Sequence, residues 1–467
     1  MARWKRVLIA LLAIVLVAIV IFAIVRSRSG KASLPVEAVM GVKPNITDPK
    51  PPLLTTVNIA PVSEWKGNAT PVAADGLKVA AFATGLDHPR WLLALANGDV
   101  LVAEAQAPPK PKGSVGIYDK IMQFVMGQAG SGGKPSANRI TLLRDADGDG
   151  VAEARSVLLS GLHSPVGMAL ANGQLYIANA DAIVRVPFTV GQTKITETPV
   201  KVVDLPAGIN HHWVKNVVAS ADGSKLYVSV GSNSNIGENG LEAEVGRAAI
   251  WEVDARTGQH RIFAGGLRNP NGMAWEPTTG ELFTVVNERD ELGSDMVPDY
   301  LTSVQFGGFY GWPWFYWGGY IDKRVQPAND DMQQYVIRPD YALGPHTASL
   351  GLTFATGQKL SPRFASGAFI GQHGSWNRKP KSGYKVIFVP FVKGRPAGKP
   401  IDVLTGFLDK DEQAQGRPVG VQIDRTGALL VADDVGNRVW RLSAPVSAPA
   451  SASAPVPASP PPRVAAR

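Results

Sequence analysis

PNGMAWEPTTGELFTVVN, residues 270–287, is a clear copy of a repeated unit from which the fold can be predicted. Proline opens an apolar segment, a turn containing Thr-Gly follows, and a second apolar segment rich in β-branched residues closes the unit. This pattern predicts two antiparallel strands joined by a hairpin. The other copies, one of them weaker, are PRWLLALANGDVLVAEA from Pro89, PVGMALANGQLYIANA from Pro165, VKNVVASADGSKLYVSVG from Val214, ASLGLTF…FASGAFIGQH from Ala348 and PVGVQIDRTGALLVADD from Pro418.

The repeated unit predicts an all-β protein, a six-bladed β-propeller over residues 76–442. The copies begin about 50 to 80 residues apart and show no helical periodicity, as expected for four-stranded blades with variable insertions. A β-sandwich with ordinary hairpins is the alternative, but it does not require the same unit six times. Because the loops at one face of a propeller converge on its channel, we expect functional residues where the repeated strands begin or end.

The distribution of charge excludes general nucleic-acid binding. The 467 residues include 47 basic and 39 acidic side chains, a formal net charge of +8. Six of these charges lie in residues 1–31 and two in 443–467, so residues 32–442 are formally neutral. Phosphate binding depends on clustered Lys and Arg, and a formally neutral body has no excess of these residues. The sequence has no cysteine, which excludes disulfides, thiolate metal sites and iron–sulfur clusters.

Both ends of the chain differ from the body. The uninterrupted apolar run from Val7 to Val25 is long enough to cross a bilayer, so residues 1–31 are predicted to be a membrane anchor, a transmembrane helix that acts as a signal anchor. A cleaved signal peptide is the alternative, but RSRSGK follows the run in place of a small-residue cleavage site. Pro-rich residues 32–75 are predicted to be a linker or N-terminal extension. Residues 443–467, rich in Pro, Ala and Ser, are predicted to be a disordered tail.

The segment DADGDGVAE, residues 145–153, is a candidate calcium loop. Asp145, Asp147 and Asp149 alternate before Gly150, a spacing that can direct carboxylate oxygens at one Ca²⁺. Ser156 occupies the position where an EF-hand has a bidentate Glu, so an acidic hairpin turn without metal is an equal alternative.

Histidine, arginine and amide side chains gather where the third and fourth repeats begin. His211 and His212 precede the third repeat, and a histidine at a strand entry facing the channel is a candidate general base. A hydrogen-bonded structural histidine is the alternative for either residue. Arg268 and the amides Asn269, Asn271 and Asn287 surround the fourth repeat and could recognise a planar ligand rich in carbonyl or carboxylate groups, or form an interblade salt bridge.

Basic residues lie near several of the other strand ends. If the loops converge, these side chains would form a positive centre in a neutral body and would suit an anionic cofactor: Lys215, Arg268, Arg378 and Arg417. The aromatic segment GGFYGWPWFYWGGY, residues 307–320, could stack on a sugar or quinone ring or simply pack between blades.

Taken in order, these motifs resemble a known family. HHWVKN, GRAAIWEVD, GLRNPNGMAWEP, NERDELGSD, LGPHTASLGL, HGSWNRKPKSGYKVIFVPF and GRPVGV are similar to the pyrroloquinoline quinone (PQQ)-dependent glucose/sorbosone dehydrogenases, and most similar to the membrane-associated L-sorbosone dehydrogenase branch. The resemblance spans about residues 76–442. It implies a periplasmic enzyme, held by one helix at a bacterial inner membrane, that oxidises a sugar or sugar aldehyde with PQQ and Ca²⁺.

The resemblance also implies roles for individual residues. His212 would be the general base, with adjacent His211 as the alternative, and Arg268 with Asn269 would contact the quinone oxygens. The remaining implied contacts are Lys215, Asn271, Asn287, Arg378 and Arg417 for the cofactor and the backbone carbonyls of Glu288 and Arg289 for Ca²⁺. The sequence departs from the family where Lys215 stands in place of Arg, Ser232 in place of an acidic residue of the glucose-oxidising branch, and Val419 in place of that branch's second arginine.

Other functions remain open to the sequence. Six-bladed propellers with a central Ca²⁺ also include lactonases, and a propeller can be a non-catalytic binding module. A lactonase channel should be rich in acids and amides, whereas this sequence offers several arginines. The electron acceptor of a dehydrogenase could be a quinone in the membrane or a soluble cytochrome.

Overall fold

The computed structural model describes residues 30–52, 55–109, 124–130 and 135–445, together with residues 4, 11, 13, 14, 16 and 17. In this part of the chain, no helix is both long enough and apolar enough to cross a membrane. Most of the predicted anchor and nearly all of the predicted C-terminal tail lie outside the described residues.

Six antiparallel sheets follow one another along the described chain, which confirms the six-bladed propeller. Blade 1 consists of Pro89–Ala94, Val100–Glu104, Arg139–Arg144 and Ala154–Leu159. Blade 2 consists of Met168–Ala171, Gln174–Ala178, Ala182–Pro187 and Val200–Asp204. Blade 3 consists of Lys215–Ala219, Lys225–Val230, Ala249–Asp254 and His260–Gly265.

The remaining blades recruit strands from the part of the chain that precedes blade 1. Blade 4 consists of Pro270–Trp275, Leu282–Val286, Pro298–Ser303, Tyr341–Pro345 and the added strand Met40–Gly41. Blade 5 consists of Ser349–Phe354, Gly367–Gln372, Lys385–Val392, Ile401–Thr405 and the added strand Val72–Ala73, with Arg395–Pro396 paired to its third strand. Blade 6 consists of Pro418–Ile423, Leu429–Asp433, Arg438–Ser443 and, as its outermost strand, Lys78–Ala83.

Short elements complete the described structure. Phe315–Tyr316 and Tyr320–Ile321 form a small hairpin within the long connection of blade 4. The 3₁₀ helices are Val36–Val39, Leu241–Glu244, Asp330–Tyr335 and Pro362–Phe364, and residues 124–128 are α-helical.

Glycines of the repeated unit allow the innermost strands to approach one another around the channel. A Cβ atom on Gly272 would lie 2.6 Å from the Leu350 carbonyl oxygen of the next blade. The same atom on Gly351 would lie 2.1 Å from the Val419 carbonyl oxygen. Any side chain at these positions would therefore separate the inner strands, which explains the glycine near the start of these copies of the unit.

Apolar side chains fill the spaces between the blades. Among the described residues, six buried clusters form, one at each interface between neighbouring blades. Phe82, from the N-terminal outer strand of blade 6, belongs to the cluster shared with blade 1. The ring of blades is therefore closed by an N-terminal strand on the last blade, so that both ends of the domain contribute to one sheet.

The segment predicted as a linker packs against the propeller. Met40 pairs with Leu343, and Val39 and Trp65 are buried. The Trp65 indole donates to the Asp433 carboxylate at 2.7 Å. Residues 32–75 therefore do not act as a free spacer, since strand pairing and buried side chains hold them to the body.

Candidate functional site

All the innermost strands begin at one end of the channel, here called the site end. The connections between blades and the turns between second and third strands meet there, because strands alternate in direction. At the opposite end, the inner strands of all six blades line a cavity of about 690 Å³. Among the described residues, no charged side chain lines that cavity. The ionisable groups of the channel are therefore concentrated at the site end.

His212 lies at the site end with a defined proton position. Its Nδ1 is 2.9 Å from the carbonyl oxygen of Ser232 and 3.0 Å from the Ser232 hydroxyl. The carbonyl can only accept, and the hydroxyl proton is donated to the Ser234 carbonyl at 2.7 Å. Nδ1 must therefore carry the proton, which leaves Nε2 with a free lone pair. Burial and then the nearby Arg268 charge lower the pKa of His212 well below 6.5.

Lys215 holds the loop that carries His212. Its buried ammonium group donates to Asn210 Oδ1 at 3.1 Å and to the carbonyl oxygens of His212 and Trp213 at 3.1 and 3.2 Å. An ammonium group has three N–H donors, and all three have protein acceptors. These contacts give Lys215 a positioning role for the His212 loop, and its predicted contact with the cofactor stays a prediction.

Arg268 connects the loops of blades 3 and 4. Its guanidinium donates to the backbone oxygen of Asn235 at 3.0 Å and to that of Glu288 at 2.7 Å. It also contacts Asn235 Oδ1 at 2.9 Å and Asp290 Oδ2 at 3.5 Å. The side chain is 2% exposed, so these contacts fix a buried positive charge beside His212.

Asp290 and His346 extend this network and were not among the predicted site residues. His346 Nδ1 is 3.2 Å from Asp290 Oδ1, and its Nε2 is 2.9 Å from the Gly293 carbonyl oxygen. Both ring nitrogens face acceptors, so the ring is doubly protonated. Burial opposes this charge, but the hydrogen bond and charge of Asp290 outweigh it and raise the pKa of His346. Asp290 thus lies between two cations, His346 and Arg268.

The structure brings the three predicted amides together. Asn271 donates to the Asn269 carbonyl at 3.0 Å, and Asn287 donates to the Ser349 carbonyl at 2.7 Å. Asn269 Oδ1 is buried and has no partner among the described residues. An unpaired buried oxygen costs about 1–3 kcal/mol, so a ligand that donates or bridges to it would bind favourably.

A second ionisable cluster lies across the same end, on blades 1, 5 and 6. Asp434 Oδ2 accepts from Arg90 at 2.5 Å and from His373 Nε2 at 2.9 Å, and His88 Nε2 lies 3.3 Å away. Burial lowers the pKa of His88 to about 4 despite the Asp434 charge. The Arg90 guanidinium lies 5.6 Å from the Trp213 ring centre, which joins this cluster to the His212 loop.

Arg417 and Arg378 differ in their surroundings. Arg417 donates to the Ala60 carbonyl at 3.2 Å, and it lies near enough to His88 and His373 to lower their pKa values. Arg378 instead donates to the carbonyl oxygens of Pro380 and Leu34, at 2.8 and 3.2 Å. These contacts fasten the N-terminal extension, whereas the buried Nε of Arg378 has no partner among the described residues, and the predicted contact with a cofactor stays a prediction.

One of the two backbone carbonyls predicted to bind a cofactor calcium already accepts a hydrogen bond. The Glu288 carbonyl accepts from Arg268 at 2.7 Å, so a Ca²⁺ there would share its ligand with a like charge. The assignment of the Glu288 and Arg289 carbonyls as ligands of a cofactor Ca²⁺ stays a prediction.

The acidic loop of blade 1 joins the third and fourth strands of that blade. It therefore lies at the end of the propeller opposite to the site end. Ligand atoms of Asp145, Asp147, Asp149 and Glu153 lie within 4.8 Å of one another. Each carboxylate also accepts a backbone N–H of the same turn, as in Asp145 with Gly148 at 2.7 Å. The geometry suits either a metal loop or an acidic turn, and the calcium interpretation stays a prediction.

The aromatic segment 307–320 packs between blades. Trp312 and Trp317 are each 3% exposed, and Trp317 belongs to the cluster between blades 3 and 4. The Trp312 indole donates to the Asn235 carbonyl at 2.9 Å, which supports the acceptor of Arg268. The packing alternative therefore describes these two tryptophans better than a stacking surface does.

Comparison with known proteins places the chain in a family. The TrAA12-like family model matches residues 136–299 and 319–444, more than half of the chain. The chain belongs to the TrAA12-like family. This result confirms the resemblance at the level of the family, while the membrane-associated branch remains a prediction.

Related proteins carry names that bear on function. A PQQ-dependent pyranose dehydrogenase from Coprinopsis cinerea is 26% identical over 313 residues, covering 52% of this chain and 42% of that protein. The aldose sugar dehydrogenase YliI of Escherichia coli is 30% identical over 123 residues, covering 26% of this chain and 30% of that protein. The matched regions thus span less than half the length of these relatives.

Solved structures support the fold. The calcium structure of a Trichoderma reesei enzyme of family AA12 has a TM-score of 0.66 and 20% identity, covering 81% of this chain and 100% of that one. The holo PQQ domain of Coprinopsis cinerea pyranose dehydrogenase has a TM-score of 0.63 and 19% identity, covering 83% and 100%. At these identities the likeness establishes the propeller and nothing further.

Proposed function

We propose that this chain is a PQQ-dependent dehydrogenase that oxidises a sugar or sugar aldehyde, either an aldose or an aldehyde like L-sorbosone. The proposal rests on two neighbouring side chains at the site end of a TrAA12-like propeller. The Nε2 atom of His212 is able to accept a proton, and the buried cation Arg268 lies beside it. The proposed cofactor and class of substrate are taken from the names of the related proteins.

The residues at the site end fit an anionic, planar, oxygen-rich cofactor. Asn269 Oδ1, Arg90 Nε and Arg417 Nε are buried, and none has a partner among the described residues. Two of these atoms belong to arginines, which pair well with carboxylates. Arg90 and Arg417 would hold carboxylates of PQQ, whereas the amide N–H of Asn269 and the charge of Arg268 would face its quinone oxygens.

The chemistry divides between the cofactor and the protein. When bound, PQQ supplies an electrophilic quinone carbon that would accept a hydride, and with it two electrons, from the substrate. His212 Nε2 takes the proton of the substrate hydroxyl, or of an aldehyde hydrate, while Ser232 keeps the opposite nitrogen protonated. The fixed charge of Arg268 stabilises negative charge that develops on nearby oxygen in a site with little water.

The setting of the reaction is also part of the proposal. Residues 7–25 would anchor the chain in the bacterial inner membrane, with the propeller in the periplasm. The described residues Leu11, Ile14, Leu16 and Val17 support the anchor, because they are helical and 54–64% exposed although apolar. Electrons would pass to the respiratory chain through a membrane quinone or a cytochrome, and the family resemblance adds Ca²⁺.

Two neighbouring histidines provide a matched test of the proposal. His212→Ala should lower kcat for dye reduction by about a hundredfold or more, since general bases contribute factors of this size. The Kd of PQQ, measured by its fluorescence, should change little. His211→Ala serves as the control and should retain most of the activity. Full activity in His212→Ala, or its loss only in His211→Ala, would move the base to another residue.

A further inference from the structure

The N-terminal extension is fastened to the propeller at the site end. The Gly30 carbonyl accepts the hydroxyl of Ser294, and the Ala32 N–H donates to the Lys379 carbonyl at 2.7 Å. The Ser33 N–H donates to the Asp295 carboxylate, also at 2.7 Å. Residues 30–34 are therefore held on two adjacent turns of blades 4 and 5.

These two turns are the ones that carry the site clusters. The turn 287–297 of blade 4 includes Asp290 and supplies the Gly293 carbonyl that His346 contacts at 2.9 Å. The turn 373–384 of blade 5 begins with His373, the partner of Asp434 at 2.9 Å. The point at which the chain leaves the propeller is thus part of the site end and lies far from the uncharged cavity.

The predicted anchor begins close to this point along the chain. Only residues 26–29 separate Val25, the last residue of the apolar run, from Gly30. Five Cα–Cα steps in a fully extended chain cover at most about 18 Å. If the run crosses the bilayer, the turns that hold residues 30–34 must remain within about that distance of the membrane surface.

We infer that the site end of the propeller faces the membrane and rests near its surface, with the opposite end directed away from the lipid. This inference rests on the membrane anchor of the proposed function and commits to the lipid bilayer as the partner. Large apolar side chains are exposed at both ends, for example Val245 at the site end (78%) and Val392 at the opposite end (61%). The short tether, and not surface apolarity, therefore determines the orientation.

Single cysteines test the orientation without background, because the sequence contains no cysteine. The full-length variants Lys31→Cys, Val245→Cys and Val392→Cys would each carry a bimane label in phosphatidylcholine vesicles, with and without a nitroxide on the lipid headgroup. Bimane at 31 and 245 should lose at least half of its fluorescence to the nitroxide. Bimane at 392, on the matched valine, should lose almost none.

The pattern of quenching separates the ways in which the inference can fail. Quenching at 31 and 392 but not at 245 would show an anchored protein with the reverse orientation and would overturn the inference. An unquenched label at 31 would show that the anchor is not in the bilayer and would overturn it at its premise. Dye reduction by the same samples reports the dehydrogenase proposal separately, since the quenching pattern does not depend on turnover.

Discussion

Placing a negative charge beside His212 should shift the pH dependence of turnover in a defined direction. Ser232→Asp would put a carboxylate near Nδ1, which now lies 3.0 Å from the Ser232 hydroxyl. In the wild type, burial and Arg268 keep the pKa of His212 well below 6.5, so the base is unprotonated across neutral pH. An adjacent carboxylate favours the imidazolium, which cannot accept the substrate's proton.

The size of the effect follows from the distance. Opposite unit charges 3.0 Å apart at an effective dielectric constant of 20 attract by about 5 kcal/mol. Desolvation of the new carboxylate and loss of the bond to the Ser234 carbonyl offset part of this energy. Each 1.4 kcal/mol that remains moves the acid limb of kcat/KM upward by about one pH unit. We therefore expect a rise of at least about one pH unit.

The assay is PQQ-dependent dye reduction by the full-length protein from pH 4 to 8. Ser232→Asn is the matched control, because it has the same shape without the charge and should keep the acid limb of the wild type. Thermal melts of both variants establish that they fold. If the limb of Ser232→Asp coincides with that of Ser232→Asn, His212 is not the group whose protonation stops turnover, and the assignment of the base is refuted.

Two further substitutions test the scaffold of the site. Asp433→Asn should lower the free energy of unfolding by about 3 kcal/mol. The Asp433 carboxylate accepts hydrogen bonds from the indoles of Trp65 and Trp440 and from two backbone N–H groups. An amide in its place would direct N–H groups at two of these donors. Chemical denaturation measures the loss, and an unchanged midpoint would contradict this reading. Lys215→Met should lower kcat about tenfold or more by loosening the His212 loop, with an unchanged Kd for PQQ. A raised Kd with normal kcat would instead identify Lys215 as a cofactor ligand.

The fold could be predicted from the sequence because its decisive signals are local. Pro89, Pro270 and Pro418 open inner strands in the structure, as the repeated unit predicts. The glycines two residues after Pro270 and Pro418 are explained by the close approach of neighbouring strands, which no single repeat reveals. The folding of residues 32–75 onto the body was not predicted, because Pro-rich sequence looks irregular until its partners on blades 4 to 6 are known.

The site residues could be predicted only in part. Contacts between loops depend on the course of each loop, which the spacing of motifs along the sequence does not specify. Lys215 and Arg378 are predicted to bind the cofactor, and their donation to backbone carbonyls could not be read from the sequence. Arg90 was missed although a signal existed: it occupies the second position of the repeated unit, as Lys215 and Asn271 do. Polar residues at that register of an apolar strand are a sequence signature worth searching for in propellers.

PQQ-dependent dye reduction distinguishes a sugar dehydrogenase from a lactone hydrolase. The full-length chain in detergent would be supplied with PQQ and Ca²⁺ and offered a panel of aldoses, sugar aldehydes and lactones. We predict reduction of an artificial dye that requires both PQQ and a sugar or sugar aldehyde and that is lost in His212→Ala. Hydrolysis of lactones without PQQ, together with no dye reduction by any sugar or aldehyde, would contradict the dehydrogenase and favour the hydrolase.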